Sequence, residues 1–427
     1  MADESKVVQG IFSSESWAAD LIRNDRGKIA ECWENICSIL ERHPAWRGVL
    51  AFDEFAQQPV TRKPAPFAQA AGRWQPEHEY EVGLWLANHL KMTTRGMAAI
   101  RDGVMACAMR HKFHPVKEYL DGLHWDGTER AATWMQELLG AADTPYVRAV
   151  SAYFLRNLVW RIYDPGCVMR SVPVLEGPQN RGKSTAVRIL GGEWYSDAQL
   201  DVGSRDSFEL IQGVWVYEIG EMAGFNKTDA NRVKHFISQQ VDSWVPKYVR
   251  GRIQVPRSAV FVGTTNDSLY FRDWSGNTRF WPIRCEVTGE IRTDLLAELR
   301  DQLIAEAVVA YRTKLRRHPT REEETELFEP EQAQRLAEHP WQPVIFTWLK
   351  GNPRGRVYTE EILTDGLKVE TSKMLETHSA VVGRIMHALG WERRREPSGD
   401  RRWFYEKPAQ PKGAGAEKGG SGESIPF

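Results

Sequence analysis

Apolar residues recur at helical spacing through most of the first 160 residues. Ile36, Ile39 and Leu40 repeat three and four residues apart, which predicts a short amphipathic helix. Residues 57–76 are rich in Pro, Ala and Gly and predict a loop. We therefore expect residues 1–150 to form a mainly helical N-terminal domain.

Strand-like and helical patterns alternate after residue 150. The apolar run Val172–Leu175 predicts a strand, a glycine-rich turn follows it, and Ser184–Leu190 predicts a helix. The alternation continues to about residue 283 and is typical of an α/β fold with a parallel sheet. A long amphipathic helix then ends near residue 317, so we expect an α/β core over residues 151–317.

The remaining chain divides by composition. Residues 318–340 carry an acidic run and three prolines and predict a connector. Three short helical patterns and two strands joined by a turn over residues 341–407 predict a winged-helix-like domain. Residues 408–427 cannot bury enough apolar surface to fold, so we expect a disordered tail.

Composition excludes several classes of protein. Of 427 residues, 42% are apolar and 26% are charged, which is ordinary for a folded globular chain. The sequence has no apolar window of membrane-spanning length and no secretory signal, so we expect a cytoplasmic protein that makes no membrane contact. The 56 basic and 57 acidic side chains nearly cancel, so any nucleic-acid binding must come from local basic patches. The five cysteines show neither zinc-ligand nor disulfide-framework spacing.

The strongest motif is a phosphate-binding loop between the predicted strand and helix. It fits G-x-x-x-x-G-K-[ST] with the residues Gly177, Pro178, Gln179, Asn180, Arg181, Gly182, Lys183 and Ser184, followed by Thr185. Backbone N–H groups of such a loop surround phosphates, the lysine bridges the β- and γ-phosphates, and the serine hydroxyl ligates Mg²⁺. The sequence therefore predicts ATP and Mg²⁺ as cofactors.

Two carboxylates follow the next strand-like run. Glu218 ends the apolar stretch 214–217, and Glu221 comes three residues later. At the C-terminal edge of a parallel sheet, both would lie beside Ser184. We expect Glu218 to hold the metal with Ser184, while which glutamate polarises the attacking water stays open. The alternative is a buried strand that ends in two solvated acids.

Two further residues complete the candidate catalytic set. Asn266 follows a third apolar strand and could orient water near the γ-phosphate, although asparagine is also an ordinary turn residue. Arg279 is a candidate arginine finger, supplied to a neighbouring subunit's nucleotide, and the alternative is a surface arginine near a loop.

Taken in order, four segments resemble the virulence-associated protein E family: EGPQNRGKST, WVYEIGEM, RSAVFVGTTND and DWSGNTRFWPI. That P-loop family is allied to superfamily 3 helicases and is found in phages, prophages and plasmids, and the resemblance covers about residues 30–310. It implies an AAA+-like core, a ring that is most often a hexamer, an N-terminal oligomerisation collar and replication partners such as a primase. The family usually has two arginines before Phe-Trp-Pro, and Thr278 replaces the first here.

The resemblance also implies a DNA-contacting hairpin between the second carboxylate and Asn266. The matching residues are Lys247, Tyr248, Arg250 and Arg252. Cations beside an aromatic ring suit single-stranded DNA, because phosphates are neutralised while bases stack. The alternative is the solvated face of an ordinary hairpin.

A second basic patch flanks the predicted C-terminal turn: Arg393, Arg394, Arg395, Arg401 and Arg402, with Trp403 and Tyr405 nearby. We expect this patch to contact DNA, and the helix over 379–389 is the candidate recognition element. Duplex DNA is a second candidate partner here, and a packing or oligomerisation role is the alternative.

Three functions are compatible with these features. The first is an ATP-dependent DNA helicase or translocase that serves replication of a mobile element and moves on single-stranded DNA. The second is a nucleotide-controlled DNA-binding initiator or interference factor without processive unwinding. A P-loop kinase of small molecules is the third, and the carboxylate-to-asparagine layout disfavours it.

Overall fold

A computed structural model describes residues 16–199, 206–220, 227–245, 251–267, 277–335, 340–352, 355–396 and 402–407. The chain divides into two compact units, residues 1–268 with 278–335, and residues 269–277 with 336–427. Among the described residues, no helix is long and apolar enough to cross a membrane.

The N-terminal part of the first unit combines helices with a small sheet. After a 3-10 turn (Ser16–Asp20), the helices are α1 (Trp33–Arg42), α2 (Glu77–Leu90), α3 (Ala98–Arg110), α4 (Pro115–Gly122) and α5 (Trp134–Leu139). The strands are β1 (Leu50–Asp53), β2 (Gln58–Thr61), β3 (Gly72–Arg73) and β4 (Lys112–Phe113), in the order β3-β2-β1-β4.

This sheet corrects the expectation of a loop over residues 57–76. The strands are only two to four residues long, so they are too short to show a period in the sequence. Gln57, at φ 55°, provides the left-handed turn that lets β2 fold back on β1. The region is therefore mainly helical with a small sheet.

Two hydrophobic cores lie inside the first unit. One is centred on residues such as Trp46, Leu86 and Ile100 and belongs to the N-terminal part. The other contains Val116 and Trp134 together with the central sheet. Helices α4 and α5 therefore pack with the α/β part, although the sequence pattern assigned them to the N-terminal domain.

The α/β part is built on a five-stranded parallel sheet in the order β11-β5-β10-β7-β6. Its strands are β5 (Val172–Glu176), β6 (Tyr195–Ser196), β7 (Val216–Ile219), β10 (Val260–Thr265) and β11 (Phe280–Arg284). The helices around it are α6 (Pro145–Tyr163), α7 (Lys183–Gly191), α8 (Asp206–Leu210), α9 (Lys227–Ser238) and α10 (Thr293–Arg312), with 3-10 turns at Gly192–Trp194 and Asn277–Arg279. The central strands β5, β7 and β10 are buried along their whole length, as expected for strands covered on both faces.

A two-stranded antiparallel hairpin, β8 (Val241–Trp244) and β9 (Ile253–Pro256), lies between α9 and β10. Its base is fixed by a buried ion pair in which the Arg257 Nε donates to Asp242 Oδ1 at 2.8 Å. The Arg257 guanidinium also lies 4.3 Å from the ring centroid of Phe236. The base of the hairpin is thus anchored to the body of the first unit.

Residues 318–335, expected to be part of an acidic connector, instead form helical turns that pack on the sheet. They comprise α11 (Arg321–Glu323), a π-helical stretch (Glu324–Phe328) and α12 (Glu329–Ala333). Phe328 is buried, and the Gln332 side-chain amide donates to the Phe280 carbonyl at 3.0 Å. The packing could not be predicted from the sequence, because most of the acidic side chains face solvent and the segment has few apolar residues.

The second unit contains α13 (Trp341–Gly351), β12 (Arg356–Tyr358), α14 (Thr359–Glu361), a π-helical turn (Ile362–Gly366), a 3-10 turn (Thr371–Lys373), α15 (Glu376–Ala388), β13 (Glu392–Arg395) and β14 (Trp403–Glu406). Its sheet is antiparallel in the order β12-β14-β13. The core contains Ile345, Val357, Ile385 and Tyr405. The expected turn over 397–400 and tail over 408–427 lie outside the described residues.

Candidate nucleotide-binding site

The phosphate-binding loop joins β5 to the N-terminus of α7, as the motif predicts. Three of its residues have positive φ: Gly177 at 151°, Asn180 at 59° and Gly182 at 93°. At Gly182 a side chain would also lie 3.3 Å from Thr293 Cγ2, so glycine is favoured by both conformation and space. The loop therefore curls back on itself and directs backbone N–H groups toward one cavity.

That cavity has a volume of about 310 Å³. Most of the predicted site residues line it, together with parts of two neighbouring strands: Gln179, Asn180, Arg181, Gly182, Lys183, Ser184, Thr185, Glu218, Gly220, Thr264, Thr265 and Asn266. The structure thus brings the loop, the first carboxylate and the asparagine together at one edge of the sheet.

Lys183 lines this cavity and is held by three hydrogen bonds. Its Nζ donates to the carbonyls of Gly177 at 2.7 Å and Pro178 at 2.6 Å, and to Asn266 Oδ1 at 3.2 Å. Burial lowers the pKa of Lys183, because the charged ammonium loses hydration. The ammonium is held at the mouth of the loop, where a phosphate could replace the carbonyl partners.

Asn266 reaches Lys183 because of the strand order. Strand β10 pairs with β5 in parallel, and Thr265 stands opposite Glu176, the residue before the loop. The next residue on each strand therefore lies at the same edge. The pairing of strands distant in sequence is what brings the amide to the lysine.

Glu218 is buried and accepts three hydroxyl hydrogen bonds. Ser184 Oγ donates to its Oε1 at 2.6 Å, and Thr264 Oγ1 donates to the same oxygen at 2.7 Å. Tyr195 Oη donates to Oε2 at 2.5 Å. Carboxylate and hydroxyl oxygens are hard donors that suit Mg²⁺, so Ser184 and Glu218 fit the metal expected beside a nucleotide.

Sequence reasoning missed Tyr195 and Thr264. Thr264 adjoins Asn266 at a strand end, so a search for every polar residue at the C-terminal ends of strands would have found it. Tyr195 carries no such signal, because it lies in a two-residue edge strand. Among the described residues, no cluster of three or more His, Cys, Asp or Glu side chains is arranged to hold a metal.

The two remaining catalytic candidates are Glu221 and Arg279. Glu221 lies outside the described residues. Arg279 precedes β11, whose first residue Phe280 pairs with Val172 at the start of β5. Its Nε donates to Ser238 Oγ at 3.0 Å. The loop follows the other end of β5, so Arg279 lies at the opposite edge of the sheet from its own chain's cavity.

Arg181 points toward the rim of the loop. Its Nε lies 4.0 Å from the Oε1 of Glu286, and the Arg181 side chain is 56% exposed. This is a weak, solvent-screened ion pair. Arg181 can therefore turn toward a bound anion at little cost.

The predicted hairpin residues are only partly described. Lys247, Tyr248 and Arg250, which follow β8 in the sequence, lie outside the described residues. Arg252 is exposed, and its guanidinium donates to Ser243 Oγ at 3.3 Å.

The C-terminal arginines form a basic surface around an exposed tryptophan. The guanidinium groups of Arg393 and Arg395 lie 4.4 Å and 5.6 Å from the ring centroid of Trp403, which is 45% exposed. Arg394 instead pairs with Glu392 at 3.0 Å. Arg402 lies 5.2 Å from the ring of Tyr358, and Arg401 is outside the described residues.

Solved structures similar to the chain include apo forms of the NrS-1 C-terminal region (305–718). Two of them have a TM-score of 0.44 at 11% identity and cover 84% of this chain and 95% of that one. A third has a TM-score of 0.41 at 11% identity and covers 84% of this chain and 96% of that one; it and one of the first two are described as A forms. No curated protein sequence matches the chain significantly.

The family comparison is more specific. The virulence-associated protein E-like domain matches residues 120–337, just over half of the chain, and this span contains the whole parallel sheet and the loop. The matched region starts within α4, which contributes Val116 and Leu120 to the same hydrophobic core as the parallel sheet. The chain therefore belongs to the virulence-associated protein E-like family.

Proposed function

We propose that this protein is a Mg²⁺-dependent ATPase with a P-loop, AAA+-like core. One observation carries the proposal: Lys183, the Ser184–Glu218 pair and Asn266 converge on one cavity at the C-terminal edge of a parallel sheet. Such an arrangement supplies a phosphate-binding cation, a metal-binding carboxylate and a γ-phosphate contact. Positioning and charge stabilisation by groups of these kinds account for most of phosphoryl-transfer catalysis.

The strand order supports this assignment. Strand β10 lies between β5, which leads into the loop, and β7, which carries Glu218. Asn266 therefore stands between the phosphate-binding loop and the carboxylate. An amide at that position can contact the γ-phosphate and respond to its loss.

Each residue has a separate role in the proposed reaction. Lys183 would exchange its carbonyl partners for the β- and γ-phosphates, and Ser184 and Glu218 would hold Mg²⁺, which neutralises developing negative charge when bound. Glu221 is the proposed general base, and Glu221→Gln is expected to bind nucleotide without turning it over. Thr264 keeps Glu218 in place from the neighbouring strand.

The position of Arg279 supports a ring. The five residues of β5 separate the two edges of the sheet by about 16 Å at 3.3 Å per residue. An arginine side chain cannot span that distance to its own nucleotide. Arg279 would therefore act on the nucleotide of an adjacent subunit, which requires a head-to-tail oligomer; we propose that it closes into a hexameric ring.

DNA is the proposed partner. The β8–β9 hairpin would carry Lys247, Tyr248, Arg250 and Arg252 to a single strand, and the Arg393–Trp403–Arg395 surface provides a stacking ring flanked by cations. Membership of the virulence-associated protein E-like family supports a role in replication of a phage, prophage or plasmid, as a helicase or translocase, with a primase among the proposed partners. We propose that the N-terminal part serves as the collar of the ring.

A strand-displacement assay on a forked duplex tests this function. We expect ATP-dependent release of the displaced strand by the wild-type protein and none by Lys183→Ala. Tight binding to duplex DNA with negligible turnover would instead favour a nucleotide-controlled initiator or interference factor.

A further inference from the structure

The buried carboxylate of Glu218 is fixed at both of its oxygens. Ser184 and Thr264 share Oε1, while the Tyr195 hydroxyl donates to Oε2 at 2.5 Å. Tyr195 comes from the strand next to Glu218 at the edge of the sheet. The carboxylate thus receives hydrogen bonds from three separate elements: α7, β10 and β6.

The backbone is built to bring Tyr195 to this position. Tyr195 pairs with Val216, two residues before Glu218, in the parallel β6–β7 pair. Gly191, at the end of α7, permits the approach: a side chain there would lie 2.8 Å from the Cβ of Tyr195 and 3.0 Å from that of Val216. The Arg188 guanidinium also lies 5.6 Å from the centroid of the tyrosine ring.

A glutamate needs such support more than a shorter carboxylate does. Its side chain has an additional rotatable bond, and rotation about that bond would carry Oε1 away from Ser184. A hydrogen bond to a charged acceptor is stronger than a neutral one, and the Tyr195 bond holds Oε2 against that rotation.

We propose that Tyr195 is a positioning residue for the metal site, which holds Glu218 in the orientation that binds Mg²⁺ together with the nucleotide. The inference rests on the proposed ATPase function and deepens it. Tyr195 itself touches neither metal nor phosphate in this account. Its effect reaches the metal only through the carboxylate.

The test is the Mg²⁺ dependence of nucleotide binding, measured with a fluorescent ATP analogue. Removal of an outer-shell partner of a metal ligand typically weakens metal affinity 10–100-fold. For Tyr195→Phe we therefore expect the Mg²⁺ concentration at half-maximal tightening to rise by about 10-fold or more. Binding in EDTA should match the wild-type protein, because the loop and Lys183 are unchanged.

Tyr217→Phe is the matched control. Tyr217 lies on the adjacent strand β7, and its hydroxyl donates to the Ala198 carbonyl instead of Glu218. Both variants lose one tyrosine hydroxyl from neighbouring strands, β6 and β7, so both report any general loss of stability. Only Tyr195→Phe should change the Mg²⁺ dependence.

A double-mutant cycle with Glu218→Gln shows whether Tyr195 acts through the carboxylate. In the Glu218→Gln background, Tyr195→Phe should no longer alter the Mg²⁺ response, because coupled residues are not additive. If thermal melting shows that Tyr195→Phe does not fold, Gly191→Ala carries the test, since it displaces the ring and keeps the hydroxyl. We expect the same rise in Mg²⁺ requirement from it.

The two ways of failing are distinct. An unchanged Mg²⁺ response in folded Tyr195→Phe, or an equal change in Tyr217→Phe, overturns the positioning role alone. A wild-type protein whose nucleotide binding is absent or indifferent to Mg²⁺ overturns the proposed function itself.

Discussion

The ion pair between Arg335 and Glu176 allows a prediction about the stability of the phosphate-binding loop. Glu176 ends β5 directly before Gly177, and the Arg335 Nε donates to its Oε1 at 3.0 Å. The side chains of Arg335 and Glu176 are only 10% and 6% exposed. Glu331 completes the arrangement, because its Oε2 accepts from Arg335 at 2.5 Å.

Arg335→Met should destabilise the first unit strongly. Loss of one partner from a buried ion pair costs about 3–5 kcal/mol, because the other charge stays desolvated without its counter-charge. Glu176 has further interactions, so we expect the lower end, about 3 kcal/mol. The first unit has roughly 300 residues, and the entropy of unfolding is about 2.1 cal/mol/K per residue, so this loss corresponds to a fall in melting temperature of roughly 4–5 °C.

Differential scanning calorimetry of the full chain measures the melting temperature of Arg335→Met, and Arg148→Met is the matched control. Arg148 also pairs with a carboxylate, Asp143, at 2.6 Å, but the two side chains are 48% and 47% exposed. Solvent screens an exposed pair, so the control should melt within roughly 2 °C of the wild-type protein. Equal melting temperatures for the two variants would refute the reasoning from burial.

Three further predictions concern pH, assembly and DNA. Burial lowers the pKa of His114 from an ordinary 6.5 to about 4. Between these two pH values, the unfolded chain binds a proton at His114 and the folded chain does not. The free energy of unfolding should therefore fall as the pH falls from 6.5 to about 4. The variant His114→Asn keeps an acceptor for the Lys117 N–H. Urea unfolding at pH 7 and pH 5 should show a smaller decrease in the free energy of unfolding for this variant than for the wild-type protein. An equal decrease in the two proteins would contradict the role of His114. When Arg279→Ala is mixed with a hydrolysis-dead variant that keeps Arg279, the mixed rings should regain some ATP turnover. Absence of any regained turnover would indicate that Arg279 acts on the nucleotide of its own subunit. Trp403→Ala should weaken binding to single-stranded DNA about 10-fold in fluorescence anisotropy, whereas Trp33→Ala, which removes an equally exposed ring, should bind as wild type does.

The central elements of the fold could be predicted from sequence because their signals are local. The strand at Val172–Glu176, the glycine loop and the helix after it each show a distinct pattern within a few residues. The helix over Thr293–Arg312 was predicted for the same reason, from its apolar period. The resemblance to the virulence-associated protein E family is confirmed by the domain match over residues 120–337.

Features that depend on pairing between distant segments could not be predicted. The contact of Tyr195 with Glu218 needs both the β6–β7 register and the absence of a side chain at Gly191. The small N-terminal sheet forms from strands too short to show a period. Packing of residues 318–335 on the sheet depends on few apolar side chains, chiefly Phe328 and Leu327. Each is a tertiary effect without a local signature.

The measurement that tests the central claim most directly is steady-state ATP hydrolysis with and without single-stranded DNA, run beside Lys183→Ala. If the cavity is the active site of a DNA-coupled motor, DNA should stimulate turnover strongly, and the variant should show none. Turnover that is indifferent to DNA would contradict the motor, and turnover that persists in Lys183→Ala would contradict the assignment of the site.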